Sequence, residues 1–389
     1  MIGKGDIHAA ARLFDPERLT LARELRGLTR QQLAERIGKT PSAVSQFESA
    51  RARPDAQTIG RLLLALSLPA SFFAQTADSP RIPVISIDVC HFRSLRSASQ
   101  KDRRMLLAKS SLLSALITFL ESKVRLPEER VTMLSTLPRD AEAIDALAEQ
   151  VRAQWGLGLG PIGNMQNLLE RKGVVVIPID EGCHEVDAFS LWNGTRPCVF
   201  LVMEKGSTSR TRMDAAHELG HLVMHADVSA GSPELEQQAN QFGAAFLMPR
   251  SAFYHEAPRR LHWDQIWELK RRWKVSAAAI VRRTYDLGIF SEATYRRAFV
   301  HLNQIGARTH EPHEPAAEAP VMVRKALDVV APTWPLPAIA DALGVSAVDL
   351  HDLVAFTQPD DLPAAAREAP AVEDVAGPLF THVPGDGNR

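Results

Sequence analysis

Cysteine is scarce: Cys90, Cys183 and Cys198 are the 3 in 389 residues. Their number is odd and no pair has C-x-x-C spacing, so no disulfide framework is indicated. Long apolar runs are missing too. The longest, Leu62–Leu66 and Val174–Ile177, fall far short of the roughly 20 residues that cross a bilayer. The opening MIGKGDIHAAARLFD has no apolar core of a signal peptide. Net charge is nearly absent, with 45 Lys and Arg against 46 Asp and Glu, which argues against a polyelectrolyte role for the whole chain. No repeat of fixed period is found. These absences point to a soluble, cytoplasmic protein without a membrane partner.

What is present is ample core material. Hydrophobic residues make up 45%, and the length suits two or three domains. The charge is unevenly spread: residues 1–75 carry 11 Lys and Arg against 7 Asp and Glu. Such asymmetry suggests a binding arm in a neutral whole.

Punctuation along the chain predicts a mainly α, multidomain protein with an α+β part. Within residues 1–75, Asp15 and Pro16 open a helix carrying Leu19, Ala22, Leu25 and Leu28, with Gly27 at its end. Thr29 caps Arg30–Ile37, Gly38 breaks the chain, Thr40-Pro41 opens a helix to about Ser49, and Ile59–Leu66 forms another. Residues 76–150 read as a linker and helical connector, with β-prone Val84–Val89 and helices over 99–122 and 140–155. In residues 151–303, strands are expected at Val174–Ile179, Val186–Trp192 and Cys198–Met203, with Asn193-Gly194 as a hairpin signal. Residues 304–320 read as a Pro/Glu-rich linker, 321–357 as a small helical module for packing or dimerisation, and 358–389 as a disordered tail.

The sharpest motif is His217-Glu218-Leu219-Gly220-His221. Histidines at i and i+4 share one helix face about 5–6 Å apart, and both can reach one Zn²⁺. Glu218 then stands where it can take a proton from metal-bound water. His225 extends the series, but i to i+8 is about 12 Å of rise, so it suits a supporting or core role. A third ligand is better sought on the following helix, at Glu236, with Glu234 as the fallback. Arg212, Tyr254 and His255 are oxyanion candidates by residue type alone. Lys270–Lys274 and Arg282–Arg283 read as solvated helix faces, and the six tryptophans as core residues.

The string from Arg210 to His225, followed by Glu236-x-x-Ala-Asn-x-Phe and Leu247-Met248-Pro249, resembles the ImmA/IrrE family of zinc metallopeptidases over roughly residues 150–300. The resemblance implies a zincin-like α+β domain with a small sheet. It implies His217, His221 and Glu236 as Zn²⁺ ligands, Glu218 as general base, and an endopeptidase that cuts a regulatory protein, typically a helix-turn-helix repressor.

A second motif runs from Leu28 to Glu48. Ala34 is small where two helices would cross, Gly38 permits the turn, and Ile37, Val44 and Phe47 form the pocket between them. Ser42, Ser45 and Gln46 then face outward at the recognition end. Arg30, Arg51 and Arg53 are placed for phosphates, with Gln31 beside them. Residues 18–73 resemble the Cro/CI-type, or XRE, regulators, which implies a five-helix domain, a double-stranded DNA operator and a homodimer. Ala50 stands where these proteins often have glycine. The expectation is a DNA-binding regulator fused to a zinc endopeptidase that cuts a repressor or its own chain. The rival is a non-proteolytic transcription factor, or antitoxin-like partner binder, whose zinc domain senses or scaffolds.

Overall fold

The computed structural model describes residues 6–74, 81–85, 91–92, 99–134, 137–138, 140–179, 188–203, 207–226, 228, 232–307, 310–357 and 381–382. Cys90, Cys183, and the tail expected to be disordered (apart from residues 381–382) lie outside that set.

Five helices open the chain: α1 (Ile7–Arg12), α2 (Pro16–Leu25), α3 (Arg30–Ile37), α4 (Pro41–Glu48) and α5 (Ala56–Leu66). Capping explains their starts. Asp15 accepts from the amides of Glu17 and Arg18, Thr29 forms a reciprocal capping box with Gln32, and Thr40 and Asp55 accept from Ala43 and Thr58. Sequence pattern missed α1, whose six residues are too few to show a period. Gly38 ends α3 in the left-handed conformation (φ +63°), and Ala50 adopts a left-handed φ of +59° without glycine's freedom.

The long α6 (Gln100–Glu121) packs on α2 and leads to β2 (Val124–Arg125). After α7 (Ala141–Gln154) and α8 (Met165–Arg171) come β3 (Val175–Ile179), β4 (Ala188–Asn193) and β5 (Arg196–Val202). With β1 (His91–Phe92) they form a sheet ordered β1-β4-β5-β3, in which only β3 runs parallel to its neighbour. The β4–β5 turn is Gly194-Thr195, since Asn193 pairs with Arg196, and the turn glycine has φ +63°. A separate short ladder joins β2 to β6 (Thr381–His382).

The sheet is buried on both faces, which is why its strands are continuously apolar rather than alternating. Val175, Ile177, Phe189, Leu191 and Phe200 face a core shared with α6 and the five opening helices. Val174, Val176, Val199 and Leu201 face a second core. That second core includes α7, α8 and the run α9 (Thr208–Met224), α10 (Pro233–Leu247), α11 (Arg250–Glu256), α12 (Trp263–Trp273), α13 (Ala277–Asp286) and α14 (Glu292–Gln304). Phe189 and Phe200 stack at 4.3 Å on the first face. Cys198 is buried there too, its thiol pushed up to about 12 by desolvation, so it is an inert core residue.

Residues 310–320 connect the two parts of the chain but are no loose tether. They carry three carboxylates to three helix N-termini. Glu311 accepts from Ala277 N (2.9 Å), Glu314 from Ser209 N (3.0 Å), and Glu318 from Met165 N (2.8 Å) and Gln166 N (3.1 Å). Each meets the positive end of a helix dipole where amides would otherwise lack acceptors. The same carboxylates neutralise buried cations: Lys270 pairs with Glu311 (2.8 Å) and Glu314 (2.5 Å), and Arg212 with Glu318. Lys270 and Arg283 are therefore not solvated; both are buried, Arg283 on Asp145 at 2.8 Å.

The chain ends in α15 (Met322–Val330), α16 (Leu336–Leu343) and α17 (Ala347–Leu353). These join the first core, and Asp349 of α17 takes Arg26 in a bidentate pair at 2.6 and 2.9 Å. The module thus packs on the N-terminal helices of its own chain.

Candidate functional site

Helices α9 and α10 approach closely because three small residues meet. Gly220 on α9 lies over Ala239, and a Cβ on Gly243 of α10 would stand only 2.9 Å from the His217 backbone nitrogen. This approach brings Glu236 of α10 to the face of α9 that carries the histidines.

His217 Nε2 and His221 Nε2 are 3.1 Å apart, and each lies 3.4 Å from an oxygen of Glu236. Both imidazoles are buried. Among the described residues, His217 Nδ1 and both Glu236 oxygens have no hydrogen-bond partner. Burial pushes the Glu236 carboxyl up, while imidazolium forms of His217 and His221 facing it pull it well below the usual carboxylate range.

With neutral imidazoles, as metal ligation requires, the neighbours assign the proton of His221 to Nδ1. The Gln238 side-chain oxygen lies 2.9 Å from His225 Nε2, which makes that nitrogen the donor. His225 Nδ1 is then an acceptor and takes the proton of His221 Nδ1, also at 2.9 Å. His221 Nε2 is left with a lone pair aimed at a carboxylate and a second imidazole. Acceptors converging in a buried place need a positive charge among them. Three ligands bound to one ion at 2.0–2.1 Å in tetrahedral geometry stand about 3.3 Å apart, close to the 3.1 and 3.4 Å found. His217, His221 and Glu236 therefore fit a divalent metal. Glu234 does not join them; it is exposed and bonded to Ser232 at the start of α10.

Glu218, buried beside His217, accepts a hydrogen bond from Ser190 Oγ at 2.7 Å. Neither Ser190 nor Gln238 belongs to a motif of the sequence. Ser190 is a lone hydroxyl in the apolar strand Ala-Phe-Ser-Leu-Trp, and that contrast was the available signal. A cleft of 270 Å³ reaches His221, bounded by Ser190, Trp192 and the connector residues Pro83–Ile85. Strand β1 runs antiparallel along the same edge, His91 opposite Ser190.

The oxyanion candidates fare differently. Arg212 is fully buried and committed to Glu318 and the Ile162 carbonyl (2.8 Å), so it is a structural residue. Tyr254 sits under Arg259, whose guanidinium is 4.6 Å from the ring, and His255 is exposed.

In the N-terminal helices, Ala34, Ile37, Val44 and Phe47 are buried between α3 and α4. Ser42 and Gln46 are exposed on α4 and Ser45 is half-buried. The expected phosphate contacts are partly engaged already. Arg30 Nε donates to Glu48 at 2.6 Å, Gln31 donates to Glu35 at 3.1 Å, and Arg53 reaches the Arg12 carbonyl at the end of α1 at 3.0 Å. Glu48 also takes Arg23, at 2.5 Å, which ties α4 to α2. Arg51 is exposed.

With this geometry in view, residues 169–285 match the model of the IrrE N-terminal-like domain, a peptidase family, and residues 19–73 match a helix-turn-helix model. The chain joins an XRE-type helix-turn-helix domain to an ImmA/IrrE-like peptidase domain. The order is the one the motifs indicated. A search of curated proteins returned no match. The helix-turn-helix domain implies DNA binding and the peptidase domain a protein substrate. Among the described residues, no helix is long and apolar enough to cross a membrane.

Proposed function

We propose that this protein is a DNA-binding regulator carrying a zinc-dependent endopeptidase of the H-E-x-x-H type, which hydrolyses a peptide bond in a regulatory protein, a repressor or its own chain. The observation that carries this reading is the convergence of His217, His221 and Glu236 beside a buried, hydrogen-bonded Glu218.

Bound Zn²⁺ would supply Lewis-acid polarisation and a more acidic water. Gln238 and His225 hold the His221 ring and its tautomer. Ser190 fixes the orientation of the Glu218 carboxylate, which takes the proton of the attacking water and hands it to the leaving amine. The reading extends to a homodimer that places two α4 helices on two half-sites, with Ser42, Ser45 and Gln46 toward base edges and Arg30, Gln31, Arg51 and Arg53 toward the backbone. The compartment proposed is the cytoplasm.

Metal content of purified protein tests the centre: one zinc per chain, lost in His217→Ala, is expected. Glu218→Gln should keep the metal and the fold and abolish cleavage of a candidate repressor. Full cleavage by that variant would overturn the assignment. DNA-regulated output that survives Glu218→Gln intact would favour the non-proteolytic rival.

A further inference from the structure

Away from the metal centre, a cavity of 480 Å³ opens where the N-terminal helices, the sheet and the C-terminal module meet. Leu25 of α2, Leu113 of α6, Phe200 of β5 and Phe356 beyond α17 supply its apolar walls. Well-packed interiors leave few voids larger than a water. Small-molecule pockets have this size, favour domain seams, and combine apolar walls with a few placed polar groups.

The polar groups here are unequal. Arg26 is committed to Asp349 at 2.6 Å, so that pair is neutral. Asp352 is exposed, its side chain 74% accessible, and lies 3.7 Å from the neighbouring His351. Lys109 is half-buried on α6 and has neither an ion pair nor a hydrogen bond among the described residues. The lining thus combines apolar walls with two charges that lack a firm partner, the Asp352 carboxylate out in solvent and the half-buried Lys109 ammonium.

We propose that this cavity binds a small amphipathic carboxylate, a medium-chain fatty acid or its equivalent, with the chain on the apolar walls and the carboxylate on Lys109 Nζ. One wall belongs to the DNA-binding domain and the others to the sheet, α6 and the C-terminal module. A ligand seated there stabilises their mutual arrangement by its differential affinity for it.

Isothermal titration of the full-length protein with hexanoate, octanoate and decanoate tests this, with decanol as the uncharged control. Saturable binding is expected, tightening about fourfold per added methylene as each is buried, with decanol at least tenfold weaker than decanoate. Lys109→Met removes the preference for the acid and keeps the chain-length dependence. Ala355→Phe, at a position lining the cavity, abolishes binding. Melting curves establish that each variant is folded, and either one alone suffices for the test. No saturable binding of any probe overturns the proposal, as does unchanged decanoate affinity in either folded variant. Glu218→Gln binds decanoate like the wild type, so failure here is distinguishable from failure of the peptidase reading.

Discussion

Gly243 is where one methyl group separates folding from metal binding. A Cβ there would lie 2.9 Å from His217 N and 3.2 Å from Ala216 C and His217 Cα. Optimal carbon contacts are about 3.5–4.0 Å, so α10 must retreat from α9 by about 0.5 Å. Alanine gains roughly 1 kcal/mol of helix propensity over glycine, while overpacking costs about 1–3 kcal/mol. The net loss for Gly243→Ala is about 0–2 kcal/mol, and the fold survives. The proposed metal centre has less latitude. Glu236 rides on the same helix, 3.4 Å from both histidines, and metal–ligand distances tolerate only about 0.2 Å. A zinc affinity at least tenfold lower is expected, read by competition with a chromophoric chelator. Gly60→Ala is the control, since a Cβ there meets nothing within 4 Å; it should stabilise by about 0.5–1 kcal/mol and leave zinc affinity alone. Wild-type zinc affinity in folded Gly243→Ala would refute the argument that close helix approach sets the ligand geometry.

Three further outcomes are expected. Gln238→Leu leaves His225 without the partner that fixes its tautomer, and zinc affinity should fall, by less than the roughly 10–100-fold expected for losing His225, the direct partner of His221; a chelator titration showing no change would remove Gln238 from the centre. Glu318→Ala strands the buried Arg212 charge, which should cost about 3–5 kcal/mol in urea denaturation; replacing both residues with methionine recovers the part due to the stranded charge and leaves the loss of the acceptor for the Met165 and Gln166 amides. Glu170 is buried and accepts from Val321 N (3.0 Å) and Met322 N (2.8 Å), and desolvation raises its carboxyl from 4.5 to about 7. The folded state then holds the proton more tightly than the unfolded chain. That contribution is full below about pH 4.5 and is lost as pH rises through about 7, by about 2–3 kcal/mol. Urea midpoints at pH 5 and pH 8 should show this slope in the wild type and a flatter one in Glu170→Gln.

What could be read in advance was whatever is local. The caps at Asp15, Thr29 and Thr40, the left-handed glycine at Gly38 and the i, i+4 histidines are all visible within a few residues of chain. The placement of Glu236, 3.4 Å from both histidines, was within reach because helical spacing set its face; its role as a ligand is what the family resemblance implies. The hairpin was seen one residue early: Asn193 and Gly194 signal a turn with two positive φ values, but only Gly194 adopts one.

What stayed hidden depends on partners distant in sequence. Lys270 and Arg283 belong to helices whose charge pattern, read alone, describes a wet surface. They are buried because carboxylates arrive at Lys270 from 41 and 44 residues away, and at Arg283 from 138. The same logic turned a Pro/Glu-rich linker into a structural strap. Its composition forecasts solvation, and only the fold supplies three helix N-termini and two buried cations to receive Glu311, Glu314 and Glu318. Ser190 and Gln238 acquire roles only when β4 and α10 are laid against α9. Chemistry that resides in one helix is therefore legible from spacing. The groups that orient it come from other elements, and a buried charge signals that such a partner must exist without saying where.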